Sequence, residues 1–190
     1  MAHVVHTTHA LVLGSADVQD ADRLFWLLTE DLGLLFASAK SVREETSKLR
    51  YALQDLSQPR VSLVRGRGLW RLTGAEENGA EKLNLDASKV FGRIAALIRR
   101  VMPTDEDNPE VFAVVINARK ALAQTEANIQ TIERTTVARV LYQLGYLSCT
   151  REYRGIVDSL DYSEEVLEGG DALGQKLIHD INAGLAESQL

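Results

Sequence analysis

The sequence predicts an α+β protein made of a strand-rich N-terminal half and a helical C-terminal half, and three observations carry that prediction. Up to about Gly74 the apolar residues come in short runs broken by turn residues, the pattern of strands. Beyond it they recur at the helical period of about 3.6 residues. Between the two lies Gly74-Ala75-Glu76-Glu77-Asn78-Gly79, a polar stretch bracketed by glycines that reads as the boundary. The expected domains are residues 1–76 and 80–190. At 190 residues, 45% hydrophobic and 25% charged, the chain has the length for one large domain or two small ones and the balance of a soluble globular protein.

The elements follow in order. His9 to Leu13 opens a first strand and Leu24 to Thr29 a second. The turn Glu30-Asp31-Leu32-Gly33 leads into Leu34 to Ala39, so the second and third strands form a hairpin. Ser47 to Leu56 is rich in helix formers and predicts a short helix. Val61 to Val64 and Leu69 to Thr73 flank the turn Arg65-Gly66-Arg67-Gly68, a second hairpin. Five strands with a helix between the third and fourth is the element order of an OB-type barrel. In the helical half, Val90, Ile94, Leu97 and Val101 line one face, with Ser88 as the expected cap and Pro103 as the stop. Asn108-Pro109-Glu110 starts a helix striped by Val111, Val115, Ala118 and Leu122. Ile129, Ile132, Thr136, Val140 and Leu144 mark a third helix ending near Gly145. A last one, capped by Asp171, carries Leu173, Leu177, Ile181 and Leu185.

The net charge of −6 conceals a segregation along the chain. Residues 1–39 carry one basic and five acidic residues, residues 40–71 carry eight basic against three acidic, and residues 74–190 carry twelve basic against nineteen acidic. A basic segment in an acidic protein is either a solvated surface or a local field directed at phosphates. Several other classes are excluded. No stretch approaches a membrane-spanning length and no signal-like N-terminus is present, so a cytoplasmic protein is expected. Cys149 is the single cysteine, which rules out an internal disulfide or a multi-cysteine zinc site. His3, His6 and His9 recur every third residue but run into a strand, where they would diverge, so no metal site is expected. Gly66 and Gly68 do not continue into a dinucleotide fingerprint, and no nucleophile motif or phosphate-cradling lysine appears. The chain is therefore expected to be neither an enzyme nor cofactor-dependent.

Four motifs then follow one another at characteristic spacings: Thr29-Glu30-Asp31-Leu32-Gly33, Ala39-Lys40, Ser47-Lys48-Leu49-Arg50-Tyr51-Ala52-Leu53-Gln54, and Arg65-Gly66-Arg67-Gly68. Their order resembles the N-terminal domain of RecO, a family of bacterial recombination mediators of DNA repair. That family reads T-E-x-x-G, then A-K-G-x-R, then a basic S-x-L-x-x-x-L-Q, then a hairpin with glycine and arginine. Leu144-Gly145-Tyr146 and the tail Gly184 to Ser188 are similar to its helical half. The resemblance implies an OB-type barrel joined to a helical domain. It implies binding of single- and double-stranded DNA and annealing of complementary strands. It also implies association with a RecR-like protein and with the acidic C-terminal tail of single-stranded-DNA-binding protein, so that RecA loads onto coated strands. Three features depart from the pattern. Ser41 replaces the glycine of A-K-G, and Glu44 and Glu45 stand where the family has positive charge, which lowers the expected DNA affinity. Arg134-Thr135-Thr136-Val137-Ala138-Arg139 stands where the family has R-F-E-L-R. Cys149 alone replaces the four zinc-binding cysteines of many members, so a short, zinc-less variant is expected.

The residues of the expected nucleic-acid site are Lys40 ending the third strand, Arg43, Lys48 and Arg50 in the loop and short helix, and Arg65, Arg67 and Arg71 on the last hairpin. Arg67 is the leading phosphate ligand, because glycines on both sides allow close approach. Trp70, Tyr51 and Trp26 are the aromatic faces available for base stacking, with Trp26 reading as core and Trp70 included in the site. In the helical half, Arg134 and Arg139 on the helix leading to Leu144 are either edge charges of an apolar receptor for an acidic tail or solvated surface; Arg119, Lys120 and Arg151 are weaker candidates of the same kind. The leading functional expectation is a DNA-binding, strand-annealing mediator. The alternative is a protein adaptor of the same fold with little direct DNA contact.

Overall fold

The alternating runs of the N-terminal half form five strands: β1 (Val5–Asp17), β2 (Arg23–Thr29), β3 (Gly33–Ala39), β4 (Pro59–Arg65) and β5 (Trp70–Glu77), with a one-turn helix α1 (Leu49–Ala52) between β3 and β4. The computed structural model describes residues 4–18, 22–44, 47, 49–125 and 127–187. The strands close into a barrel in the order β1-β2-β3-β5-β4, the OB connectivity. Closure depends on the length of β1: Val5 to His9 pair with β4, whereas Ala10 to Asp17 pair with β2. A bulge between Val12 and Gly14 shifts the register of β1 against β2. The parallel pair, β3 with β5, is short, Ala37 opposite Trp70 and Ser38 opposite Arg71.

Period-two alternation sends Ala10, Val12, Phe25, Leu27, Leu35, Ala37, Val61, Leu63 and Leu72 into the barrel, where Val42 and Leu53 join them. Each of the larger side chains buried there stabilises the fold by about 1.5–3 kcal/mol. Two expectations from the sequence change at this level. The predicted helix over Ser47–Leu56 is only Leu49–Ala52, because the chain beyond it bonds to β1: Leu56 N–H donates to the Val12 carbonyl (2.8 Å) and Val12 N–H to the Ser57 carbonyl (3.0 Å). Strand β5 runs past Thr73 to Glu77, pairing Glu76 opposite Arg60, so part of the glycine-bracketed stretch is strand.

The second half carries α2 (Leu85–Val101), α3 (Pro109–Gln124), α4 (Ile129–Gln143), α5 (Arg154–Val157), α6 (Glu164–Ala172) and α7 (Gly174–Glu187). The chain divides into two compact units, Met1–Ala80 with Met102–Pro109, and Glu81–Val101 with Glu110–Leu190. The connection between α2 and α3 thus belongs to the barrel unit. In the helical unit α4 is central, packed by α2, α5, α6 and α7, around Val101, Ala138, Leu141, Leu147, Tyr153, Val157, Leu177 and Ile181.

The helix ends correct two expected caps. Helix α2 starts before Ser88, and Asn84 caps it, its Oδ1 accepting from the Ala87 N–H at 2.8 Å. Asp171 lies inside α6 and caps nothing; it accepts from Arg134 (2.6 Å) and Thr131 (3.2 Å). Leu144-Gly145-Tyr146 closes α4 as a Schellman stop: Tyr146 N–H donates to the Leu141 carbonyl (2.8 Å) and Gly145 N–H to that of Tyr142 (3.0 Å). The Tyr146 hydroxyl then donates to the Val101 carbonyl (3.0 Å), joining the ends of α4 and α2.

Candidate nucleic-acid interface

The β3, α1 and β4–β5 side of the barrel carries the basic segment. Lys40 follows β3 directly and is exposed, while Arg71 is exposed on the neighbouring strand, in register with Ser38 and Val64. Arg67 stands exposed in the β4–β5 turn, which Gly66 N–H closes by donating to the Leu69 carbonyl (3.0 Å). A Cβ on Gly66 would lie 2.5 Å from that same carbonyl oxygen, so the tight tip requires glycine there. Arg50 is exposed on α1, which packs beside β5. Lys40, Arg50, Arg67 and Arg71 form no ion pair with the described residues, so their charges face solvent. Lys48 lies outside the described residues, as do Glu45 and His3.

Two of the expected cations are committed inside the molecule. Arg43 lies 3.6 Å from Asp17, which also holds Arg23 at 2.7 Å. Arg65 makes a two-pronged pair with Asp105, Nη1 to Oδ1 at 2.8 Å and Nη2 to Oδ2 at 3.3 Å. The same Oδ1 accepts from the Trp70 indole Nε1 at 3.0 Å, and the Arg65 guanidinium sits 4.9 Å from the indole centroid. His6 meets the other partner of this cluster edge-on, its ring 5.4 Å from that of Trp70. Trp70 is only 7% exposed. The expectation that it stacks bases is corrected: its ring is spent inside the barrel end.

Asp105 is the residue the sequence reading missed. The bonds from Arg65 and Trp70 hold its carboxyl below the ordinary value of 3.8. Its segment is latched to β3: Asp105 N–H donates to the Leu34 carbonyl (2.8 Å), and Leu34 bridges Thr104 in parallel. Gly33 permits this contact. It has φ +65°, and a Cβ there would lie 1.8 Å from the Glu106 carbonyl oxygen. Nothing local to residues 102–109 signals that a turn between two helices docks on a barrel.

In the helical half the expected receptor charges are internal. Arg139 is fully buried, with Nε donating to the Ile156 carbonyl (2.7 Å) and the guanidinium 4.6 Å from the Tyr162 ring. Burial pushes it below its ordinary value, yet an arginine stays charged, and from there it presents nothing to an outside partner. Arg134 is tied to Asp171. Arg119 is buried, donating to the Glu81 carbonyl at 2.9 Å. Leu144 packs half-buried against the helical core. His9 is half-buried on β1, and among the described residues no group of His, Cys, Asp and Glu is arranged to hold a metal. No described helix is long and apolar enough to cross a membrane.

Comparison with known proteins agrees with the barrel fold. Residues 1–78 match the family described as recombination protein O N terminal. The chain is 29% identical over 163 residues to a DNA repair protein RecO of Dehalococcoides mccartyi, covering 82% of this chain and 64% of that one. It is 31% identical over 145 residues to its namesake in Heliobacterium modesticaldum (75% and 52% covered) and 33% identical over 124 residues to that of Myxococcus xanthus (62% and 50%). The chain thus spans between half and two-thirds of the length of these curated relatives. A five-stranded OB barrel stands where the RecO family's N-terminal domain matches, and the similarity to RecO proteins continues from the barrel into the helices.

Proposed function

We propose that this chain is a recombination mediator in DNA repair: its barrel binds single- and double-stranded DNA, anneals complementary strands and helps load RecA onto coated single strands. On this reading its protein partners are a RecR-like protein and the C-terminal tail of single-stranded-DNA-binding protein, as the family resemblance implies. The observation that carries the reading is the set of exposed cations on one side of an OB barrel, Lys40, Arg50, Arg67 and Arg71, that no described carboxylate neutralises. An OB barrel binds strands across the open face of its sheet and the loops beside it. Four phosphate contacts from these cations give a slope of about −3 in log affinity against log salt on single strands.

The test is fluorescence anisotropy of a labelled single-stranded oligonucleotide over a range of salt. Charge reversal belongs at Arg67 and Arg71, not at Arg65, which is paired with Asp105 and lies against Trp70, so that a glutamate there would face a second carboxylate. The double variant Arg67→Glu, Arg71→Glu is expected to flatten the slope by about 1.4 and to weaken binding by at least about tenfold. Absence of binding even at low salt overturns the DNA-binding role. It would favour the adaptor reading, in which the chain links single-stranded-DNA-binding protein to repair partners. The internal pairing of Arg43 with Asp17 and of Arg65 with Asp105 is the observation that speaks for that second reading.

A further inference from the structure

Five aromatic residues belong to the barrel segment: Phe25, Trp26, Phe36, Tyr51 and Trp70. Phe25 is fully buried, Trp70 is enclosed by Asp105, Arg65 and His6, and Trp26 packs edge-on against Phe36 at 5.6 Å. Tyr51 differs from all four. It is 63% exposed and makes no hydrogen bond or ring contact with the described residues. Its position follows from the spacing of α1. Leu49, Ala52 and Leu53, at i, i+3 and i+4, pack inward, Leu49 and Leu53 against the barrel core. That leaves Arg50 and Tyr51 on the outward face of a helix lying beside β5, the strand that exposes Arg71. Leaving a large aromatic ring in water forgoes the stabilisation its burial would give. Here the ring stands next to an unpaired arginine, the combination on which single-stranded bases stack while phosphates are neutralised nearby.

We infer that Tyr51 is the base-stacking residue of this barrel, taking an unpaired base onto its ring beside Arg50 and thereby discriminating single strands from duplex. The inference rests on the reading of the barrel as DNA-binding and adds to it the residue that recognises an unstacked base. Paired bases within a duplex present no free face, so Tyr51 contributes to single-strand binding and not to duplex binding. The functional group is the aromatic face rather than the hydroxyl.

The experiment is anisotropy with the full chain, using a labelled oligothymidine of roughly 20 nucleotides, enough to exceed one OB barrel's site, and a duplex of the same length. Tyr51→Ala is expected to weaken oligothymidine binding by about 5- to 150-fold, the range for loss of one stacked base, with the salt slope and the duplex affinity unchanged. Tyr51→Phe and Tyr51→Trp are expected to restore it. An oligonucleotide of abasic sites supplies the complementary arm: the wild type and Tyr51→Ala should bind it equally. Equal loss on single strand and duplex, or no loss on oligothymidine, overturns the stacking role while leaving the salt-dependent binding of the parent chain intact. If the parent chain binds no DNA, the DNA-binding reading fails and this inference with it.

Discussion

Replacing Asp105 by alanine tests how the barrel end is held. Its carboxylate serves two donors of very different burial. The Trp70 indole N–H is enclosed and reaches it at 3.0 Å; the Arg65 guanidinium is about half exposed at 2.8 Å. Orphaning a buried N–H costs about 1–3 kcal/mol. The exposed ion pair contributes at most about 1 kcal/mol after solvent screening. The expected loss for Asp105→Ala is therefore about 2–3 kcal/mol, most of it from the indole. Asp105→Asn keeps an acceptor for the indole and should lose only about 1 kcal/mol. Both tryptophans, Trp26 and Trp70, lie in the barrel unit, so urea unfolding followed by tryptophan emission reports on the barrel. The acid limb gives a second signature. The folded carboxyl titrates below its ordinary 3.8, so its stabilisation is fully present at neutral pH and is lost as pH falls below about 3.8 toward the depressed folded value. Asp105→Asn should lack that part of the acid sensitivity. If Asp105→Ala stays within about 0.5 kcal/mol of the parent, or costs no more than Asp105→Asn, the carboxylate does not hold Trp70 and the account of the barrel end is wrong.

Two more substitutions probe the same physics elsewhere, alongside the Arg67–Arg71 reversal and the Tyr51 series. Gly33→Ala places a Cβ against the Glu106 carbonyl at a residue with φ +65°; it should cost about 3 kcal/mol, read by the same tryptophan emission, and a loss below about 1 kcal/mol would show that the 102–109 segment is not clasped there. Arg139→Ala empties a fully buried site and frees the Ile156 carbonyl, so it should destabilise the helical unit by about 2–4 kcal/mol in circular-dichroism melts while leaving oligonucleotide affinity unchanged. A change in DNA affinity without a change in melting would overturn its assignment as a structural residue.

Much of this protein is local and therefore readable in its sequence. The barrel strands show as short apolar runs because side chains alternate across a sheet, and the Thr29–Gly33 turn is visible because its chemistry lies within five residues: Thr29 Oγ1 accepts from Leu32 N–H (3.1 Å) and donates to the Gly33 carbonyl (2.9 Å). The order of the elements and the spacing of four motifs pointed to the OB barrel and to the family. Helix stripes placed α2, α3, α4 and α7, with the start of α3 and the end of α4, but not the cap of α2, since Asn84 and Ser88 both have capping side chains and only backbone geometry selects one. The short motif Leu144-Gly145-Tyr146 resembles a family mark, and its physical basis is a helix stop. What tertiary structure alone decided is which charges and rings are free. Arg65 and Arg67 are alike in a sequence two residues apart, yet only Arg65 meets Asp105, 40 residues on. Trp70 and Tyr51 are both aromatic residues in a basic segment, yet one is enclosed and the other stands in solvent. Arg139 reads as a surface helix residue and is the largest fully buried side chain among the described residues, because α4 is packed by four other helices. Periodicity records the backbone's preference for an element, residue by residue. Whether a polar group faces water or a partner depends on segments far away in the chain, and that is settled only when the chain closes on itself.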